Sequence, residues 1–550
     1  MQLLAGLLSL ALNATIVAFV GLLLLVASGA MDPDDVLPRG ADAPAPTVVV
    51  VAWNTPRDVV VQLFEWRWDD VAVECETFLG PQGFDAVQVS PPNEHRLVAG
   101  YPWWQRYQPV SYVLGSRSGE SDAFADMVRR CAAAGVKVYV DAVINHMTGR
   151  RFADDPLWGT GSAGSRYEFE QYPDYGPDDF HQPYCEIGDR YGDRAVVQNC
   201  ALAGLADLDT EADRVQDRIG AYLNGLQDRG VAGFRIDAAR HIAAADIAGI
   251  LSRVQGLPFI YQDVLEGPGE AVHAREYLGN GAVTQHDYGR RLSTAFRDGN
   301  IAMLRDVRAG LGIDDLVPSD AAVVFVDSHD TQRGEGGGGD VLTHRDGALY
   351  DLANVFMLAW PYGTPRVMSS YRFTDASAGP PSAEDGTTRR VHGAAGLGCG
   401  SAWLCEHRRP AIAGMVGFRN ATAGAEVDNW WSDEAAGRIA FGRGDRGFVI
   451  INNTDEPMRQ WLRTGLPAGR YCNVLASRSL AGVCRAVAPR DSDGAEPDAD
   501  APETAGGDEP SIEIVVSKDT SATVELPPRS AVAIYVSRKP TADPVPPEDE

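Results

Sequence analysis

The chain lacks any excess of basic residues: 48 Lys and Arg stand against 76 Asp and Glu, for a formal net charge of -28. Nucleic acid and anionic membrane both call for a basic face, so the balance argues against both and favours a neutral partner. A glycine-rich dinucleotide turn is also missing, which sets aside the nucleotide-binding reading of the strand-helix repeats described below. Met1 to Ala30 has no charged side chain at all. A secretory signal normally starts with positive charge, yet this stretch is overwhelmingly apolar and ends in Ala27-Ser28-Gly29-Ala30, a small-residue pattern suited to signal peptidase. It is also long enough to span a bilayer, so residues 1–30 read either as a cleaved signal peptide or as an uncleaved signal anchor. Both place the body of the chain outside the cytosol, and contact with a membrane is expected only if the segment is retained.

With 550 residues and 45% hydrophobic content, the chain can bury a large core, and its length implies two to four domains. Of the eight cysteines, six fall at spacings that look like local loop closures: Cys185 with Cys200, Cys399 with Cys405, and Cys472 with Cys484. Cys75 and Cys131 remain. An even count at such spacings fits an oxidising compartment, while metal binding or free thiols stay open as alternatives.

Residues 31–54, acidic and rich in Pro and Ala at their start, read as a linker. A repeating unit follows. Val59 to Phe64 is a strand, Asp69 to Leu79 a helix stopped by Gly80, and Ala86 to Ser90 the next strand. The alternation recurs at Ser121, with Val136 to Ile144 as its strand. It recurs again at Thr210, whose Thr-Glu-Ala-Asp resembles a capping box, running through Val215, Ile219, Leu223 and Leu226 to the strand that starts at Gly233. Further strands are expected at Phe259 to Asp263, Ala282 to Thr284, Ala322 to Asp327 and Arg366 to Ser369. The fold class this predicts is α/β, a (β/α)8 TIM barrel with an inserted subdomain after strand 3 and a C-terminal antiparallel β-sandwich. The barrel would occupy residues 55–144 and 209–433. The insertion, rich in Gly, Asp and Tyr, would take residues 145–208, too long for an ordinary connection. The sandwich would take residues 434–538, with an acidic solvated loop at 488–511, and residues 539–550 would form a tail.

In Phe234-Arg235-Ile236-Asp237 a period of two puts the apolar pair on one face and the charged pair on the other. Charge on the inner side of a helix-covered strand is costly unless paired, and catalysis is one reason to keep it; an inert buried ion pair is the other. Asp237, Asp263 and Asp330 lie at the ends of different strands. Carboxylates so placed, with aromatic residues nearby, point to work on a carbohydrate: glycoside hydrolysis needs one carboxylate as nucleophile or base and one protonated carboxyl as acid.

Four segments carry a family resemblance: Asp141-Ala142-Val143-Ile144-Asn145-His146, Phe234-Arg235-Ile236-Asp237, Phe259-Ile260-Tyr261-Gln262-Asp263-Val264 and Phe325-Val326-Asp327-Ser328-His329-Asp330. They resemble, in order, the signature regions of the α-amylases. The likeness narrows to the chloride-dependent, animal-type group through Phe64-Glu65-Trp66-Arg67-Trp68, Trp103-Trp104-Gln105-Arg106-Tyr107-Gln108 and Arg366-Val367-Met368-Ser369, and it covers roughly Val59 to Arg538. The resemblance implies a secreted, monomeric enzyme that hydrolyses internal α-1,4-glucosidic bonds of starch, glycogen and maltooligosaccharides with retention. Asp237 would be the nucleophile, supported by Arg235, and Asp330 the transition-state stabiliser. Trp103, Trp104, Tyr107, Gln108, His146, Tyr191, Arg240 and His329 would bind substrate. Calcium would be held by Asn145, Asp207, His241 through its carbonyl, and the Gln198 position. Chloride would lie among Arg235, Ser328 and Arg366. The cysteines would pair as Cys75–Cys131, Cys185–Cys200, Cys399–Cys405 and Cys472–Cys484, with Gly115 and Thr148 where a fifth bridge would be.

The resemblance breaks at one catalytic position. The family's general acid is a glutamate, and Asp263 stands in its place, about 1.5 Å shorter. A positioned acid contributes typically about 10²–10⁴-fold, so low activity follows, with Asp263→Glu expected to raise it. Glu266 is a remote substitute. The alternative is an amylase-like glycan-binding or interaction protein with impaired catalysis. Smaller departures are Arg240 for a lysine, Ser328 for an asparagine, and Glu335 for a histidine in a glycine-rich loop running to Gly339.

Overall fold

Eight short strands, all parallel, close into a barrel: β1 (Val60–Leu63), β2 (Ala86–Val89), β3 (Lys137–Ala142), β4 (Gly233–Ile236), β5 (Phe259–Gln262), β6 (Ala282–Thr284), β7 (Ala322–Val324) and β8 (Thr364–Ser369), with β8 pairing back onto β1. This computed structural model describes residues 57–149, 158–307, 316–334, 340–393, 398–476 and 513–536. The expected signal segment, linker, acidic loop and tail, and Glu335 with its glycine-rich loop, lie outside the described residues. The expected barrel is therefore the fold, and each strand of it was foreshadowed by an apolar run.

Register decides which side chains share a level inside the barrel. Arg235 sits opposite Asp141 of β3 and Tyr261 of β5. Phe234 and Ile236, pointing the other way, are wholly buried under the helices. Inside the barrel a small apolar cluster of Val60, Tyr139, Phe259, Tyr261 and Val323 forms a plug, separate from the large outer core. The plug keeps water from one side of the charged layer. Gly233 is required at the start of β4, since a Cβ there would come within 2.6 Å of the Phe259 carbonyl oxygen and 2.7 Å of the Tyr139 ring.

Two local expectations fail for tertiary reasons. The first helix does not stop at Gly80: it runs Trp68–Glu74, passes through a π segment Cys75–Leu79, and continues over Gly80–Gln82 to Gly83, at φ 88°. Gly80 is needed for close packing, because a Cβ would meet the Ala134 carbonyl oxygen at 2.5 Å. The capping box at Thr210 does not form either. Helix Asp213–Gln227 begins after Ala212 with no side-chain cap, and the Thr210 hydroxyl donates instead to Asp246 at 3.0 Å.

Between β3 and β4 the chain makes antiparallel pairs, His146–Gly149 with Leu205–Asp207 and Trp158–Thr160 with Arg166–Glu168, and one short helix, Arg194–Asn199. Among the described residues the C-terminal part is all β. Strands Val427–Ser432, Arg438–Arg443, Gly447–Asn452 and Ser530–Tyr535 form one antiparallel sheet. Its first strand precedes the boundary expected at Glu434, because the Trp430-Trp431 stretch pairs as strand and its turn falls just after. Two further strand pairs, Met458–Arg463 with Ser521–Leu526 and Gly469–Cys472 with Glu513–Val516, share a core with that sheet through Phe448, Ile450, Leu462, Tyr471, Val524 and Val532. Arg443 ties the sheet to the barrel by donating to the Ala359 carbonyl at 2.5 Å.

Disulfides join Cys75 to Cys131, Cys185 to Cys200 and Cys399 to Cys405. Cys472 is also disulfide-bonded, while its expected partner Cys484 lies outside the described residues. No described cysteine is free. Among the described residues no helix is long and apolar enough to cross a membrane.

One buried ion pair organises the rim of the barrel. Arg106 and Glu65 have no exposed side-chain surface and meet at 2.8 Å. The guanidinium also donates to the Pro91 carbonyl at 2.6 Å and to the Ser116 and Ser118 hydroxyls at 3.1 and 3.0 Å. It thereby fixes the single helical turn Trp103–Tyr107. Removing one member of a buried pair strands the other's charge, at about 3–5 kcal/mol. Glu65→Ala is therefore expected to lower stability by about that amount, read by chemical denaturation; a change near zero would remove the pair from this role.

Candidate active site

The C-terminal ends of the barrel strands open into a cleft of about 580 Å³. Its walls bring together Asp237, Asp263 and Asp330 with Trp103, Trp104, Tyr107, Gln108, His146, Tyr191, Arg240 and His329. Every residue expected to touch substrate thus lines one cavity. Glu266 is not among the lining residues; it is held by His273 at 2.7 Å and the Ala274 amide at 3.0 Å.

Arg235 is the centre of the charged layer. One terminal nitrogen donates to Asp141 at 2.5 Å and Asp237 at 2.9 Å, and the other to Asp263 at 2.5 Å. Asp141, wholly buried, also accepts from the Tyr107 hydroxyl at 2.8 Å. Burial and the facing carboxylates set the protonation of the cluster. Burial, partly countered by Arg235 and reinforced by Asp141, Asp263 and Asp330, pushes Asp237 up to about 8. Burial likewise pushes Asp330 up to about 6. Asp263 goes the other way: burial raises it, but Arg235, His286 and Arg366 together outweigh burial and hold it well below the usual carboxylate range.

The partners of Asp263 account for that difference. One oxygen takes Arg235, while the other accepts from His286 at 2.8 Å and Thr284 at 3.2 Å. Asp237 has a single guanidinium contact and three carboxylates around it. A nucleophile should be ionised and an acid protonated, whereas these contacts favour the charged form of Asp263 over that of Asp237, a pattern opposite to the roles implied by the resemblance.

The aromatic wall is rigid. Tyr107 and Phe64 sandwich the His329 ring, with centroids 5.2 and 4.9 Å away. Gln62 bonds His329 Nδ1 at 3.2 Å, and His329 Nε2 lies 3.3 Å from an Asp330 carboxylate oxygen. Burial, with Arg235, Arg366 and Arg333 nearby, holds His329 well below the usual imidazole range, so it is neutral. Trp103 is pinned by its indole N–H on the Ala376 carbonyl at 2.9 Å. Flat faces held this way suit the C–H surface of a sugar ring. Arg240 lies 4.5 Å above the Tyr191 ring and pairs with Glu270 at 3.0 Å.

The residues expected to hold calcium lie on neighbouring segments. Asp207 ends a strand paired with His146–Gly149, and Asn145 immediately precedes that strand, the Leu208 amide donating to the Asn145 carbonyl at 3.1 Å. Helix Arg194–Asn199, carrying Gln198, is tied to the turn Ala239–His241 by the His241 ring on the Val197 carbonyl at 3.0 Å. Burial raises Asp207 to about 6, with His181 opposing. A carboxylate so placed gains from a cation, and the amide, carboxylate and carbonyl set fits calcium. The Gln198 side chain itself goes to the Tyr277 hydroxyl at 3.2 Å, so only its backbone would be free for that site. For an anion, Arg235 Nε is buried without a hydrogen-bond partner, and Arg366 lies over Phe325 with Gln88 at 3.3 Å. Two guanidiniums with an unused donor fit chloride. The Ser328 hydroxyl is engaged with Thr331.

Two residues that line the cleft, Glu270 and His286, escaped sequence reasoning. So did Gln88 and Thr284, ordinary polar residues in the sequence that bond Asp141 and Asp263 behind it. His286 is the consequential omission; the signal was its position just past the C-terminal end of a barrel strand.

The chain matches the family model described as "Alpha amylase, catalytic domain" over residues 78–295 and "Alpha amylase, C-terminal all-beta domain" over residues 430–537. It is 46% identical to pancreatic alpha-amylase 2a5 of Mus musculus over 460 residues, 78% of this chain and 89% of that protein. It is also 46% identical to the alpha-amylase of Tenebrio molitor over 448 residues, 78% and 91% of the two chains. The solved structure of alpha-amylase I from Eisenia fetida is 39% identical, with a TM-score of 0.76 over 88% of this chain and 98% of that one. A mutant of that enzyme was solved in complex with maltohexaose, and it matches at a TM-score of 0.74 and 38% identity, over 88% of this chain and 98% of that one. Identity of this order over both parts of the molecule, together with the cleft at the barrel's mouth, means that the chain belongs to the α-amylase family of glycoside hydrolases.

Proposed function

We propose that this chain is an exported, monomeric α-amylase that cleaves internal α-1,4-glucosidic bonds of starch, glycogen and maltooligosaccharides with retention. The observation that carries the reading is the convergence of Asp237, Asp263 and Asp330 on one aromatic-walled cleft around Arg235. A linear glucan also fits the maltohexaose bound by the Eisenia fetida relative. The disulfides fit an oxidising, extracellular setting.

In the first step Asp237 attacks the anomeric carbon and the glycosidic oxygen leaves with a proton. In the second, water attacks the glycosyl-enzyme and returns a proton to the cleft. Arg235 spreads positive charge over the nucleophile's side of the cluster. Asp330 and the neutral His329 take sugar hydroxyls and favour the oxocarbenium-like transition state, while Trp103, Trp104, Tyr107, His146, Tyr191 and Arg240 position the chain. Calcium, held by Asn145, Asp207 and the backbone of Gln198 and His241, would lock the insertion to the barrel. Chloride between Arg235 and Arg366 would offset the two cations.

Purified protein should release reducing sugar from soluble starch, and proton NMR should show the α-anomer as the first-formed product; an initial β-anomer would exclude the retaining mechanism. Asp237→Asn should lower kcat by about 10⁴-fold or more, the scale seen when a covalent nucleophile is removed. A smaller loss with unchanged KM would take the nucleophile role from Asp237. Chelation should lower both activity and the melting temperature, with Ca²⁺ restoring both; no change in either would dismiss the metal.

A further inference from the structure

We propose that His286 is a positioning residue that acts through Asp263, the two side chains sharing one proton and serving together as the acid/base of the cleft. The inference rests on the α-amylase reading and deepens it. It starts from a difficulty: Asp263 is the acid by position, yet Arg235 on one oxygen and His286 with Thr284 on the other keep it ionised. A bare carboxylate has no proton to give a departing sugar. The imidazole supplies what is missing, a second proton-carrying group at hydrogen-bond distance from the carboxylate.

The geometry is specific. His286 Nε2 lies 2.8 Å from Asp263 Oδ1, so this nitrogen carries the hydrogen. Nδ1 is buried without a hydrogen-bond partner, and the ring stands edge-on to Phe325 with centroids 5.2 Å apart. His286 opens helix His286–Arg297 directly after β6, so barrel and helix fix its place, and it lines the cleft. The charged groups that act on it are Asp263, just past β5, and Asp330, beyond β7, while Arg235 from β4 and Arg366 from β8 act on Asp263. On its own helix, Asp287 and Arg290 pair with each other.

The productive state then has Asp237 ionised and its proton moved to the pair, so that His286 carries hydrogens on both ring nitrogens and shares the Nε2 one with the Asp263 carboxylate. As the Asp237 oxygen bonds to the anomeric carbon, the bond to the glycosidic oxygen breaks. Its electron pair takes the shared proton through the Asp263 carboxyl, leaving the carboxylate and a neutral imidazole with its hydrogen on Nδ1. In the second step a water proton returns to the pair, the water oxygen bonds to the anomeric carbon, and Asp237 departs. The pair also explains the short side chain. A glutamate would carry its carboxyl about 1.5 Å further, into space next to an imidazole already at hydrogen-bond distance. Asp263→Glu alone is therefore not expected to raise the rate, contrary to the expectation from sequence.

The test uses the full chain with His286→Phe and His286→Gln, on soluble starch and on a 4-nitrophenyl maltooligosaccharide whose nitrophenolate leaves with little need of a proton. His286→Phe should lower kcat/KM on starch by about 10²-fold and spare release of nitrophenol. The alkaline limb of the pH profile should move to lower pH, because the remaining carboxyl gives up its proton earlier. His286→Gln, which keeps a donor to Asp263 but carries no exchangeable charge, should show the same limb, and it carries the test if the Phe variant does not fold. Asp263→Glu should restore starch activity in the His286→Phe background and not in the native one. An active native enzyme whose His286 variants keep its starch rate and pH profile would overturn the proposal. So would an equal loss on both substrates with an unmoved profile. A native enzyme that releases neither reducing sugar nor nitrophenol would instead bring down the α-amylase reading, and the dyad with it.

Discussion

The guanidinium of Arg235, buried and bonded to Asp141, Asp237 and Asp263, is the interaction on which the rest depends. Without it the barrel's mouth would hold four aspartates close together, Asp141 and Asp237 buried and Asp263 and Asp330 partly exposed to the cleft. A buried, unpaired carboxylate costs several kcal/mol, and the chain would have to protonate nearly all of them. With it, the carboxylates share one cation and differ in how firmly they are held. That inequality is what a two-carboxylate reaction needs, because one group must lose its proton while another keeps one.

The surrounding structure serves this layer. The aromatic plug of Tyr139, Phe259 and Tyr261 seals the barrel beneath it. The Arg106–Glu65 pair fixes the turn that holds Trp103, Trp104 and Tyr107. The insertion after β3 brings His146 to the cleft and pairs its strand with Leu205–Asp207. Site precision here comes from strands and buried pairs rather than from loops, which limits how far the substrate-facing groups can drift.

The short acid shows how one substitution is absorbed by its neighbours. An aspartate at position 263 loses reach, but it gains a geometry in which arginine, histidine and threonine all contact it. A proton-handling group is then a property of a pair. Read alone, Asp263 signals impaired catalysis; read with His286, it signals a different route for the same proton.

The sequence by itself determined the barrel, since strand-helix alternation and the apolar runs Val59 to Phe64 and Val136 to Ile144 leave little else to build. It also determined the alternation of Arg235 and Asp237 against Phe234 and Ile236, because a strand's period of two is local geometry. Signature segments marked the cleft residues for the same reason: each lies on one short stretch. Only the tertiary structure decided the rest. Gly80 reads as a stop until Ala134 is seen against it, and Thr210 reads as a cap until Asp246 takes its hydroxyl. His286 and Asp263 are on different strands' ends and carry no common motif. Their contact exists because barrel closure sets β5 beside β6, and hydrogen bonds between distant residues are fixed by packing rather than by spacing along the chain.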